Sequence, residues 1–150
     1  MERAAGFTLV EIMTLVVIIG LLAIMAMPAF QKARIGAQNS RLARDLQTFS
    51  AGFEQYSLDA GKWPPEANAG ELPEGMGGYI TGSSFSARTV VGGRYDWNFQ
   101  NGTYQAGVAI VESFLDDDQA QQVDAIIDDG NLSMGRFQKD GEAYVLILAP

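Results

Sequence analysis

The chain has 150 residues, no cysteine, no histidine and a net charge of −8 at pH 7. That length suits one modest domain, and the two absences exclude a disulfide framework, a thiolate metal site and the commonest general base. The acidic balance, with no basic tract or basic–aromatic stripe, argues against nucleic acid as a partner.

In chain order, the first feature is an apolar run. From Phe7 to Phe30 only Thr8, Glu11, Thr14, Gly20 and Pro28 interrupt it. A helix of about 20 apolar residues spans a bilayer. A buried soluble helix of this kind would be apolar on every face. A secretory signal has an apolar stretch of about 7–15 residues and an A-x-A cleavage site. This run is longer and no clean site of that kind follows, so a retained membrane helix fits best. Glu11 is its one carboxylate. It either snorkels to the interface or meets a cationic partner within the membrane.

Gly6-Phe7-Thr8-Leu9-Val10-Glu11 and the apolar run after it resemble the prepilin cleavage and methylation motif of type IV pilins and type II secretion pseudopilins. The resemblance implies cleavage by a prepilin peptidase between Gly6 and Phe7, followed by N-methylation of Phe7. It also implies that Glu11 is the assembly residue and pairs with the N-terminal amine of a neighbouring subunit. Pro28 stands where many members carry a helix-distorting proline, and Gly20 lowers helix propensity in the same stretch. The expected divisions are a leader over 1–6, a transmembrane and assembly helix over 7–30, and a globular head over 31–150. The implied partners are self or related pilin-like subunits, the prepilin peptidase, an inner-membrane assembly platform and membrane lipid. The implied location is the inner membrane with the head in the periplasm, and then a filament. Orientation rests on the resemblance, because Lys32, Arg34, Arg41 and Arg44 all follow the span.

Helical periodicity continues past the membrane. Leu42, Leu46, Phe49, Phe53 and Tyr56 fall on one stripe, which predicts an amphipathic second half covering a sheet. Asp59-Ala60-Gly61 and Pro64-Pro65 predict its end. Residues 61–82 are dense in glycine and proline and read as a loop, with Trp63 either anchoring it or contacting a neighbour. Tyr95, Trp97 and Phe99 alternate, and Asn101-Gly102 predicts a type I′ hairpin turn before a returning strand from Tyr104 to Val111. The three aromatics are expected to face the helix stripe. Asp116-Asp117-Asp118 predict the cap of a short helix through about Ile127, with Val123, Ile126 and Ile127 inward. A last hairpin is expected around Lys139-Asp140-Gly141.

The predicted fold class is α+β: a long N-terminal helix packed on a small antiparallel sheet, with a short second helix. Asp124, Asp128 and Asp129 make a candidate calcium cluster, since calcium takes several oxygen ligands. Some pseudopilin heads hold calcium in a C-terminal loop, but this chain runs from a strand straight to its last residue. Helix capping and solvation is the reading preferred for these acids, and no cofactor is expected. There is no G-x-S-x-G, P-loop or H-E-x-x-H motif, so the chain is read as no enzyme. The expected function is a structural subunit of a pilin-like filament. The alternative is a monomeric, single-pass, membrane-anchored periplasmic binding module.

Overall fold

The computed structural model describes residues 7–150, so the predicted leader with Gly6 lies outside them. They form two compact units, 7–36 and 37–150.

Helix α1 (Leu9–Ala60) runs unbroken through Pro28. Proline has no amide to donate, so the Ile24 carbonyl lacks the helical partner that another residue at 28 would supply. Strong helix formers on both sides keep the helix going. Gly61, at φ 68°, takes the left-handed conformation that closes it, as predicted.

The second unit is built on the stripe. Leu42, Leu46 and Phe53 are fully buried, with Phe49 close behind and Tyr56 packed at the margin. Strands β1 (Arg94–Phe99), β2 (Ala106–Val111), β3 (Phe137–Asp140) and β4 (Ala143–Ala149) form a four-stranded antiparallel sheet among the described residues. Their order is β1-β2-β4-β3. As expected, Tyr95 and Trp97 of β1 meet the helix, and Phe99 is partly buried against the same core. Phe53 stacks on Trp97 with ring centroids 3.9 Å apart, and Phe49 meets Tyr95 edge-on at 4.8 Å. Phe85 completes the cluster at 5.2 Å from Phe49. Trp63 anchors its loop by packing against Trp97, whose Nε1 donates to the Pro64 carbonyl at 3.3 Å.

Four local expectations need correction. Residues 61–82 are not wholly irregular: a 3₁₀ turn forms over Met76–Gly78, and a one-turn helix α2 spans Gly82–Phe85. Met76 and Phe85 are fully buried, and burying these two side chains orders the segment.

The β1–β2 connection is not a two-residue turn. It spans 100–105, and Asn101 closes it by accepting from the Thr103 and Tyr104 amides at 3.0 and 3.2 Å. Tyr104 leaves the strand to pack on Ala109 and Val145 in a second small cluster. That burial, with the side-chain turn of Asn101, outweighs the type I′ signal.

Helix α3 (Asp117–Ile127) is capped as predicted, by Asp116, which accepts from the Gln119 amide at 2.7 Å. Its inward face is different: Ala120, Val123 and Asp124 are buried and Ile127 is half-buried, whereas Ile126 is 48% exposed. Positions 120, 123, 124 and 127 follow the i, i+3, i+4, i+7 spacing of one helical face, which leaves 126 outside. Asn39 of α1 fixes α3 there, donating to Gln122 at 3.1 Å and accepting from Gln119 at 2.8 Å.

The last turn is Gly141-Glu142, because Asp140 pairs with Ala143. Lys139 therefore lies within β3, where its ammonium reaches Asp117 at 2.6 Å.

Candidate functional site

Two predicted sites fall within the described residues, and each is built by a helix end.

The first is the start of α1. Thr8 precedes the helix and Glu11 is its third residue. The Thr8 amide and hydroxyl both donate to Glu11 Oε2, at 2.8 and 2.7 Å. The Glu11 amide returns a bond to Thr8 Oγ1 at 3.3 Å. This is a capping box, two groups at a helix start satisfying each other's orphan donors. Sequence reasoning weighed snorkelling against a cationic partner for Glu11 and missed this third role. The signal was present: Thr-x-x-Glu before an apolar run. Glu11 Oε1 makes no hydrogen bond among the described residues, so the cap leaves one carboxylate oxygen available to a further donor.

Along the rest of the segment the apolar side chains are exposed among the described residues. Phe7 is 83% exposed and Phe30 73%, and the large side chains between them are exposed throughout. Thr14 donates to the Val10 carbonyl at 2.8 Å, so its hydroxyl is satisfied inside the helix and suits an apolar surround. A Cβ at Gly20 would meet nothing within 4 Å, so packing within the chain does not require that glycine. The helix is long and apolar enough to cross a membrane.

The second site is the end of α3. Asp124, Asp128 and Asp129 each present a carboxylate oxygen, and these oxygens lie within 4.8 Å of one another. Asp128 and Asp129 are exposed, but Asp124 is fully buried. The solvation expected for the cluster therefore fails for Asp124. Neither of its oxygens has a hydrogen-bond partner among the described residues. Burial raises its carboxyl above the usual carboxylate range, and the Asp129 and Asp128 charges add to this. The Asn131 and Gly130 amides oppose the shift from nearby without forming a bond of ordinary geometry. The loop after α3 closes over Asp128, whose Oδ2 accepts from the Arg136 amide. Gly135 sits at φ 80°, and a Cβ there would strike that same oxygen. Asp129 Oδ1 accepts from the Asn131 amide at 2.8 Å.

The chain resembles proteins of known type. Type II secretion system core protein G of Klebsiella pneumoniae is 32% identical over 94 residues, covering 53% of this chain and 66% of that protein. Type IV major pilin protein PilE1 of Neisseria gonorrhoeae is 39% identical over 59 residues, covering 39% of this chain and 36% of the pilin. Fimbrial protein EcpC of Eikenella corrodens is 35% identical over 83 residues, covering 55% and 54%. The chain thus spans just under two thirds of the first relative and about a third to a half of the other two. No family model and no solved structure matches it. The relatives are structural subunits rather than enzymes. These relatives, together with a long apolar N-terminal helix and a small antiparallel sheet, place the chain in the family of type IV pilins and type II secretion pseudopilins.

Proposed function

We propose that this pilin-like subunit is made as a prepilin, cleaved between Gly6 and Phe7, N-methylated at Phe7 and polymerised through its N-terminal helix. Until assembly it is held in the inner membrane by residues 7–30, with residues 31–150 in the periplasm. The observation that carries this reading is the apolar segment from Phe7 to Phe30, helical from Leu9, whose large side chains are all exposed among the described residues. Such a surface needs lipid or other helices around it. Both are supplied in turn if the helix leaves the bilayer for the core of a filament.

The polar groups follow the same logic. Cleavage at Gly6 creates an ammonium on Phe7. In a low-dielectric setting an unpaired ammonium and an unpaired carboxylate are each costly. A neighbour's ammonium on Glu11 neutralises both and fixes the register of one subunit against the next. The capping box fits this use, because it occupies one carboxylate oxygen and leaves the other. The stretch from Gly20 to Pro28 holds a weak helix former and a missing amide, so it is where α1 can extend under load. The partners on this reading are other pilin-like subunits, the prepilin peptidase, an inner-membrane assembly platform and lipid.

The test is the mass of the protein extracted from membranes of cells with active prepilin peptidase. A mature chain starting at N-methyl-Phe7 is expected, and Gly6→Ala should leave the leader attached. A parent chain that keeps Met1–Gly6 would overturn the reading. Cross-linking separates a filament subunit, which forms ladders, from a membrane-anchored monomer, which forms none.

A further inference from the structure

The head is acidic: residues 37–150 hold seven Lys and Arg against sixteen Asp and Glu. Of the seven, Arg94, Arg136 and Lys139 are paired with carboxylates. Arg41 and Arg88 are exposed and make no hydrogen bond or ion pair among the described residues. With Val90 they line one cleft of about 310 Å³. The acid in that cleft, Asp45, accepts from the Tyr95 hydroxyl at 3.0 Å. This segment lies where α1 enters the head. Ala37 is the first residue of that unit, and Gln38 donates to the Val90 carbonyl at 3.2 Å. Phe114 meets it there. Its amide donates to the Val91 carbonyl at 3.0 Å, and a Cβ at Gly92, φ 76°, would lie 2.6 Å from its ring. Val91 and Leu115 are buried, yet Phe114 is 89% exposed. A lone exposed apolar residue is ordinary. This one is seated on a glycine, in an anchored loop, against the segment that carries an unpaired arginine. The acids flanking it are engaged, Glu112 with Arg94 and Asp116 with the Gln119 amide.

We propose that this end of the head, through Phe114, Arg41 and Arg88, rests on the headgroup surface of an anionic bilayer. The proposal rests on the membrane anchoring of residues 7–30 given above. Only residues 31–36 separate Phe30, the last of the apolar run, from Ala37, and they include Lys32 and Arg34 and no acid. Even fully extended, that tether spans at most about 25 Å, so this end of the head stays near the bilayer. Interfacial surfaces pair an aromatic or aliphatic side chain that enters between headgroups with cations that attract anionic lipid. Phe114 supplies the first. Arg41 and Arg88 supply the second, and a guanidinium can grip a lipid phosphate with two parallel hydrogen bonds. The acidic remainder of the head is repelled by the same surface, so the contact selects one orientation for an anchored subunit.

The chain has no cysteine, so a single introduced cysteine can carry a nitroxide. The test places the full chain, one copy per nanodisc, in phosphatidylcholine with or without phosphatidylglycerol. The label sits on Ser113→Cys, beside an intact Phe114, or on exposed Ala87→Cys if the first variant does not fold. Collisions with lipid-soluble oxygen are compared with collisions with an aqueous nickel chelate. In anionic discs the label should report headgroup depth, whereas a label on Leu58→Cys, an exposed position near the far end of α1, should report water. Arg41→Gln and Arg88→Gln should each lower the ratio of lipid-contacting to free heads roughly fivefold. Phe114→Ala should lower it as well, and phosphatidylcholine alone should leave the label in water. A label in water at Ser113→Cys in anionic discs overturns the proposal, as does lipid contact by Phe114→Ala or by the double arginine variant equal to the parent's. A label on Val17→Cys separates the two readings. If it lies in the bilayer interior while the head label is in water, only this inference fails, and Phe114 is left to a contact between subunits. If it lies in water, the membrane anchoring fails and this inference with it.

Discussion

Glu11→Gln separates two roles that the first turn of α1 combines. Glutamine keeps a carbonyl oxygen where Glu11 Oε2 accepts from the Thr8 amide and hydroxyl, and capping boxes use glutamine as well as glutamate. It removes the charge. Glu11→Leu removes both the cap and the charge. Thr8→Val removes the hydroxyl from the box and leaves the charge. Losing a side-chain cap at Thr8 costs about 0.5–2 kcal/mol, which is a factor of roughly 2–30 in the population of an ordered first turn. Breaking a desolvated ion pair between subunits is larger, a loss of roughly a hundredfold to a few thousandfold in association. If Glu11 acts through its charge, Glu11→Gln and Glu11→Leu both fall by that larger factor, while Thr8→Val loses only the smaller one. Glu11→Asp should lie between, since it keeps the charge on a shorter arm. If Glu11 acts only as a cap, Glu11→Gln matches the parent, and Thr8→Val and Glu11→Leu show the same mild defect. Cross-linking of processed subunits in membranes, quantified as the fraction in ladders, reads the difference. Parent-like ladders from Glu11→Gln would refute the ion-pair reasoning.

The other predictions concern the head. Phe53→Ala removes a fully buried ring stacked on Trp97 and should cost about 3–5 kcal/mol, lowering the melting midpoint by more than about 10 °C. Phe114→Ala, at a position 89% exposed, should stay within about 0.5 kcal/mol of the parent; equal melting of the two variants would mean that the α1 stripe does not carry the core. Alkaline pH should unfold the head. Burial raises the Tyr95, Tyr104 and Tyr144 phenols above the usual 10.0, Tyr104 to about 12, and Asp45, Asp140 and Asp117 respectively reinforce the shift. A raised folded-state pKa leaves stability intact below pH 10 and removes it as pH rises from there through the folded values. Phenolate absorbance should therefore appear steeply, together with the loss of circular dichroism from the sheet. Smooth titration centred near pH 10 with the fold intact would contradict the burial of these three rings.

What the chain determined by itself is what repeats along it. A run of apolar residues long enough to span a bilayer, a stripe at helical spacing from Leu42 to Tyr56, and aromatics alternating at Tyr95, Trp97 and Phe99 are periodic signals, and all three are realised. They suffice for the fold class, because an amphipathic helix and a half-apolar sheet have few ways to cover each other. The capping box at Thr8 and Glu11 was equally legible, being four residues long and entirely local. Other features depend on contacts between segments far apart in the chain. Tyr104 leaves its strand because Ala109 and Val145 offer it a place, and no pattern near Asn101-Gly102 announces this. Asn39, about eighty residues away in sequence, holds Gln119 and Gln122 and thereby sets the rotation of α3. That rotation exposes Ile126 and buries Asp124, a choice that hydrophobicity alone would reverse. The sequence placed three acids near a helix end. Only tertiary packing turned one of them inward, stripped it of water and left it facing the other two, because burial belongs to the contacts between elements and not to the spacing within one.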